Sequence, residues 1–89
     1  MTITADTARI AIRDFEFAIQ RVVIQPGTTV VWTNEGNVPH TSTADGGVWN
    51  SPLLSRGESY SRVFNEPGEY AYYRAPHPFM RAVVVVQSR

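Results

Sequence analysis

Apolar and polar residues alternate with a period of two along much of this chain. Arg9-Ile10-Ala11-Ile12-Arg13 shows the pattern and the flanking Phe15-Glu16-Phe17 repeats it. Successive side chains of an extended strand point to opposite faces, so this pattern buries one face and wets the other. Short β-branched or aromatic runs follow at Val22-Val23-Ile24, Thr29-Val30-Val31-Trp32, Tyr60-Ser61-Arg62-Val63-Phe64, Tyr70-Ala71-Tyr72-Tyr73 and Ala82-Val83-Val84-Val85-Val86. Between them lie clusters suited to chain reversal: Gln25-Pro26-Gly27, Asn34-Glu35-Gly36-Asn37, Asp45-Gly46-Gly47, Ser55-Arg56-Gly57 and Asn65-Glu66-Pro67-Gly68. Strands separated by turns about every eight to twelve residues predict an all-β fold, an antiparallel Greek-key sandwich or barrel of about seven to eight strands. No window has a long helical period, and Ser51-Pro52-Leu53-Leu54 reads equally as a helical turn or a loop.

The chain's 89 residues make one domain, 1–89, with no internal repeat or linker. At 43% hydrophobic, with aromatics spread along its length, it has material for an efficient small core. Trp32 sits mid-strand among valines and is predicted to lie in that core. Tyr70 and Tyr72 share one face and Tyr73 takes the other. Tyr70, after Pro67-Gly68-Glu69, is placed to hydrogen-bond across a corner.

Eight acidic residues balance eight basic ones, all Arg, so nothing favours nucleic acid or an anionic membrane as a partner. No apolar run is long enough for a membrane-spanning helix, and the polar start is not an export signal. A mature or cytosolic chain, monomeric, is therefore expected. Cysteine is absent, which removes disulfides, thiolate metal ligands, haem attachment and thiol catalysis together.

The chemistry concentrates in Tyr72-Tyr73-Arg74-Ala75-Pro76-His77-Pro78-Phe79-Met80 and in Val38-Pro39-His40-Thr41. Pro76 and Pro78 fix the backbone on both sides of His77, Met80 follows three residues later, and both histidines of the chain come after proline. Two imidazoles and a weak thioether are three of the four ligands of a blue-copper electron-transfer site, whose fourth is a cysteine thiolate. Taken singly, His77 also reads as a surface turn residue and Met80 as core filler.

The chain resembles the cupredoxins, the small blue-copper proteins, from about Ile10 to its end. Phe15-Glu16-Phe17 and Ile24-Gln25-Pro26-Gly27-Thr28-Thr29-Val30-Val31-Trp32-Thr33-Asn34 resemble that family's opening strands, and Val38-Pro39-His40-Thr41 the segment of its first histidine ligand. Phe64 to Tyr73 resembles the approach to the cysteine ligand, and Ala75-Pro76-His77-Pro78-Phe79-Met80-Arg81 is similar to the short ligand loop of amicyanins, with plastocyanins, pseudoazurins and halocyanins as wider kin. The resemblance implies copper ligation by His40, His77 and Met80, electron transfer to a redox partner protein, no enzymatic activity, and a periplasmic or extracellular setting. Pro39, Pro78, Phe79 and Trp49 would form the apolar docking patch; they read equally as residues closing the end of a sandwich.

Arg74 departs from the pattern where the thiolate belongs. A guanidinium is permanently charged. At about 4 Å and an effective dielectric of about 20 it repels each unit of metal charge by roughly 4 kcal/mol. That is about three decades of affinity for a monovalent ion. Copper is therefore expected to bind weakly or not at all. A buried Arg74 would need an acceptor, for which Asp45 and Glu35 are the carboxylates flanking the His40 segment, although Glu35 reads more readily as a solvated turn residue. Two alternatives stand beside a disabled electron carrier: a metal-free binding or scaffold module using the His77 end, and a weak two-histidine type 2 metal site.

Overall fold

A computed structural model describes residues 6–14, 16–17, 20–73 and 81–88. Among these the fold is all-β, with β1 (Thr7–Arg13), β2 (Glu16–Phe17), β3 (Arg21–Ile24), β4 (Thr28–Asn34), β5 (Thr43–Ala44), β6 (Ser59–Phe64), β7 (Gly68–Tyr73) and β8 (Arg81–Val86). They form two four-stranded sheets, ordered β2-β1-β4-β6 and β3-β8-β7-β5. Most neighbours are antiparallel, but β1 runs parallel to β4 and β3 parallel to β8, so both sheets are mixed. Strands β1 and β3, separated in the chain only by the short β2, thus go to different sheets, and each opens a long-range pairing that no local pattern encodes.

The period of two decides which side chains face inward. In β1 these are Ala8, Ile10 and Ile12; in β4, Thr28, Val30, Trp32 and Asn34; in β8, Ala82, Val84 and Val86. The alternating Val83 and Val85 of the closing run turn outward and remain half-buried. Trp32 is the centre of the core, 0% exposed. Its ring lies 5.5 Å from Trp49, 5.5 Å from Tyr72, 6.1 Å from Tyr60 and 6.3 Å from Phe64. Aromatic pairs at such spacings contribute beyond the area they bury. The Arg62 guanidinium covers this cluster from outside, 4.7 Å from the Phe64 ring and 5.4 Å from that of Trp49.

Trp49 corrects one expectation. It is only 4% exposed and its Nε1 donates to Ser42 Oγ at 2.9 Å, so it belongs to the core and not to a docking patch. A large ring stacked on Trp32 gains more from burial than it would at the rim. The corner tyrosine is present: Tyr70 donates its hydroxyl to the Glu66 carbonyl at 2.7 Å. The 51–54 segment contains no helical turn, and Leu54 instead bridges His40 in antiparallel fashion. The Tyr72 hydroxyl and Trp32 Nε1 lie close together in the core without reaching hydrogen-bond geometry, and burial pushes the Tyr72 phenol well above its ordinary pKa, the indole N–H partly opposing.

Candidate metal centre

Strand β4 ends with an exception to its own pattern. Its inward positions run Thr28, Val30, Trp32 and then Asn34, a polar side chain with no exposed surface. A buried amide is costly unless its groups are paired. Asn34 meets this by donating Nδ2 to the carbonyls of Val38, at 2.9 Å, and Leu54, at 2.8 Å, while Oδ1 accepts the Gly36 amide at 2.8 Å. One side chain thereby folds residues 34–38 into a turn and ties that turn to the segment carrying Leu54.

His40 is seated on this support. Its amide donates to the Leu54 carbonyl at 3.0 Å, and the Leu54 amide donates back at 2.7 Å. The ring is fully buried, with Nδ1 shut off from water. On its other side stands Asp14, in the turn that follows β1. Asp14 Oδ1 accepts the amides of Asn37 at 2.7 Å and Val38 at 3.3 Å, and lies 3.3 Å from His40 Nε2. Partial burial pushes the Asp14 carboxyl up, but those two amides and the imidazole outweigh it, and the group lies below its ordinary pKa.

Gly36 makes this arrangement possible through space and not through its backbone angle. A Cβ there would fall 2.2 Å from Asp14 Oδ1 and 3.0 Å from His40 Nε2. Real Cβ contacts are never that short, so any side chain at 36 would displace the carboxylate from the imidazole.

Of the residues singled out from the sequence, His40 is buried and held from two sides, and Pro39 is exposed beside it. Arg74, His77, Pro78, Phe79 and Met80 lie outside the described residues. The residues that bound that segment are informative: Tyr73 and Arg81 are register partners across β7 and β8, and Tyr73 also pairs with Thr43, three residues beyond His40. Asp45 is engaged by Arg81 and Glu35 is exposed. Among the described residues no group of three or more His, Cys, Asp and Glu side chains stands ready to hold a metal ion.

The sequence reading passed over Asn34 and Asp14. Asn34 left a usable signal, since a polar residue at an inward position of an alternating strand implies a buried network. Asp14 left none, being 26 residues from His40 and in an ordinary turn.

Known proteins point the same way. A sequence profile described as copper binding proteins of the plastocyanin/azurin family matches residues 4–87. Amicyanin-alpha of Methylorubrum extorquens is 35% identical over 88 residues, covering 93% of this chain and 74% of that protein. Amicyanin of Paracoccus versutus is 31% identical over 90 residues, covering 96% of this chain and 68% of the relative. Among solved structures, a purple cupredoxin from Nitrosopumilus maritimus superposes with a TM-score of 0.83 at 33% identity, covering 90% of this chain and 99% of that one.

Proposed function

The chain belongs to the plastocyanin/azurin family of copper-binding, electron-transfer cupredoxins, and we propose that it is a copper-deficient member. The family's blue centre needs two imidazoles, a thioether and a thiolate. His40 suits the imidazole part of that set: it is buried, its backbone is fixed by Leu54, and its Nε2 faces a carboxylate. The thiolate part does not fit, because the sequence contains no cysteine and has Arg74 where the family's sulfur belongs. The observation that carries the reading is this combination, a retained and well-supported imidazole in a chain without a sulfur anion.

In this reading His77 and Met80 complete the donor cluster with His40, and Arg74 sets a permanent cation against any metal there. The protein is not an enzyme, and its setting is periplasmic or extracellular, as proposed for its family. A second reading, a metal-free module that docks a protein at the same end, is supported by the exposed Val38 (44%) and Leu53 (58%) near Pro39. Exposed apolar patches of this kind mark partner sites.

Copper titration followed by visible absorption, tryptophan quenching and voltammetry tests both readings. The expected result is a colourless protein without tight stoichiometric binding and without a reversible copper potential. Sub-micromolar binding that disappears in His40→Ala would overturn copper deficiency. Arg74→Cys should restore an intense charge-transfer band in the visible, and a colourless loaded variant would show that the three remaining donors do not converge.

A further inference from the structure

We propose that the aromatic cluster of the core is a relay for oxidising equivalents, in which Trp32 and Trp49 pass an electron hole outward to Tyr60 and Tyr70. The relay needs no metal and is independent of the reading of the histidine end.

The rings form an unbroken path through the sandwich. Trp32 of β4 and Trp49 of the 45–53 segment are stacked, with centroids 5.5 Å apart and planes 24° from parallel. Tyr60 of β6 stacks on Trp32 at 6.1 Å, and Tyr70 of β7 lies 6.3 Å from Trp49. Phe64, 5.2 Å from Trp49 and 5.4 Å from Tyr70, touches both rings of the second branch. Centroids within about 7 Å are those of aromatic rings in contact. Electrons cross such contacts far faster than solutes meet in solution.

Burial gives the path a direction. Trp32 Nε1 has no acceptor among the described residues, so an oxidised Trp32 cannot settle by losing its proton and remains a strong oxidant. The Arg62 guanidinium, 5.4 Å from the Trp49 ring, disfavours a second positive charge resting there. Tyr72 touches both indoles, at 5.5 and 5.7 Å, but a phenol is readily oxidised only when its proton can leave. The Tyr72 hydroxyl is buried without an acceptor among the described residues, and burial holds the phenol well above its ordinary pKa. Tyr60 and Tyr70 instead reach the surface. The Tyr70 hydroxyl donates to the Glu66 carbonyl at 2.7 Å in an exposed turn, where water can take the proton.

The chemistry balances with a one-electron acceptor in solution. The acceptor takes one electron from an indole and leaves a radical cation. One electron from Tyr60 or Tyr70 restores the indole, and the phenolic proton passes to water. The sum is a reduced acceptor, a tyrosyl radical and a proton, with both indoles unchanged.

Laser excitation at a wavelength absorbed by indole alone, with a chloropentaamminecobalt(III) salt as irreversible acceptor, tests the relay. Transient absorption should show an indole radical decaying as a tyrosyl radical rises, at a first-order rate independent of protein concentration. Tyr60→Phe and Tyr70→Phe should each lower the tyrosyl yield. The double variant, shown to be folded by circular dichroism, should lose that signal while its indole radical persists. Tyr72→Phe and Tyr73→Phe should leave the yield unchanged. A tyrosyl rise whose rate scales with protein concentration, or a tyrosyl signal that survives in the folded double variant, overturns the relay. So does an indole radical in the unsubstituted protein that decays without any tyrosyl signal.

Discussion

Replacing Asn34 by Ala should cost this domain far more than an ordinary polar truncation. The substitution removes three hydrogen bonds at once, to the carbonyls of Val38 and Leu54 and from the amide of Gly36. They are not equivalent. The Leu54 carbonyl keeps the His40 amide at 3.0 Å, so it forfeits about 1 kcal/mol, the net value of one bond. The Val38 carbonyl is half-open and recovers water, losing a similar amount or less. The Gly36 amide is buried and Asn34 Oδ1 is its acceptor, so it carries a desolvation penalty of about 1–3 kcal/mol. The sum is about 4 kcal/mol, against a total stability of about 5–15 kcal/mol for domains in general.

For a chain of this length that corresponds to a fall in Tm of at least about 15 °C. Urea unfolding followed by tryptophan fluorescence measures it, with Asn37→Ala as the control. Asn37 is exposed and its side chain meets only Arg56 among the described residues, so its loss should stay within about 0.5 kcal/mol. Amide exchange should show the His40 and Leu54 amides losing protection in Asn34→Ala before those of β4 and β6. A cost below about 1.5 kcal/mol, or uniform loss of protection, would refute the view that Asn34 is what holds the His40 seat to the sandwich.

Two other substitutions probe the aromatic core and its corner. Tyr72→Phe removes a buried hydroxyl that lacks a hydrogen-bond partner among the described residues, so stability at neutral pH should hold or rise by up to about 1 kcal/mol; a loss above that in chemical denaturation would mean the hydroxyl is satisfied. Because the folded phenol is raised above its unfolded value near 10, its contribution is complete below that pH and is lost as pH climbs beyond it. The alkaline fall in stability should therefore be shallower in Tyr72→Phe, and identical slopes would contradict the raised value. Tyr70→Phe should cost about 1 kcal/mol by removing the bond to the Glu66 carbonyl, read as a shift of the urea midpoint at unchanged slope, and an unchanged midpoint would make the corner ornamental.

How legible the molecule was depends on the range of the interaction involved. Alternation within β1, β4 and β8 is local, since each residue's face follows from its neighbours two positions away. That local rule, with turn residues between runs, was enough for an all-β sandwich, for Trp32 in its core and for Tyr70 at its corner. The resemblance of the histidine segments to cupredoxins was legible for the same reason, being carried by contiguous motifs, and so was the absence of cysteine. Trp49 misled because segment 45–53 has no strand period to say which way a side chain turns. An aromatic beside exposed Val48 looks like rim until Trp32 and Tyr72 are placed next to it.

The sequence by itself therefore determined the longer strands, the fold class, the candidate imidazole and the absence of cysteine. Tertiary structure alone decided that β1 and β3 open parallel pairings in separate sheets, and that Asp14 comes to rest against a ring 26 residues away through a gap only Gly36 leaves. The physical reason is that a pleat repeats every two residues along one chain segment. A hydrogen bond between distant turns, by contrast, exists only after two sheets have closed on a common core.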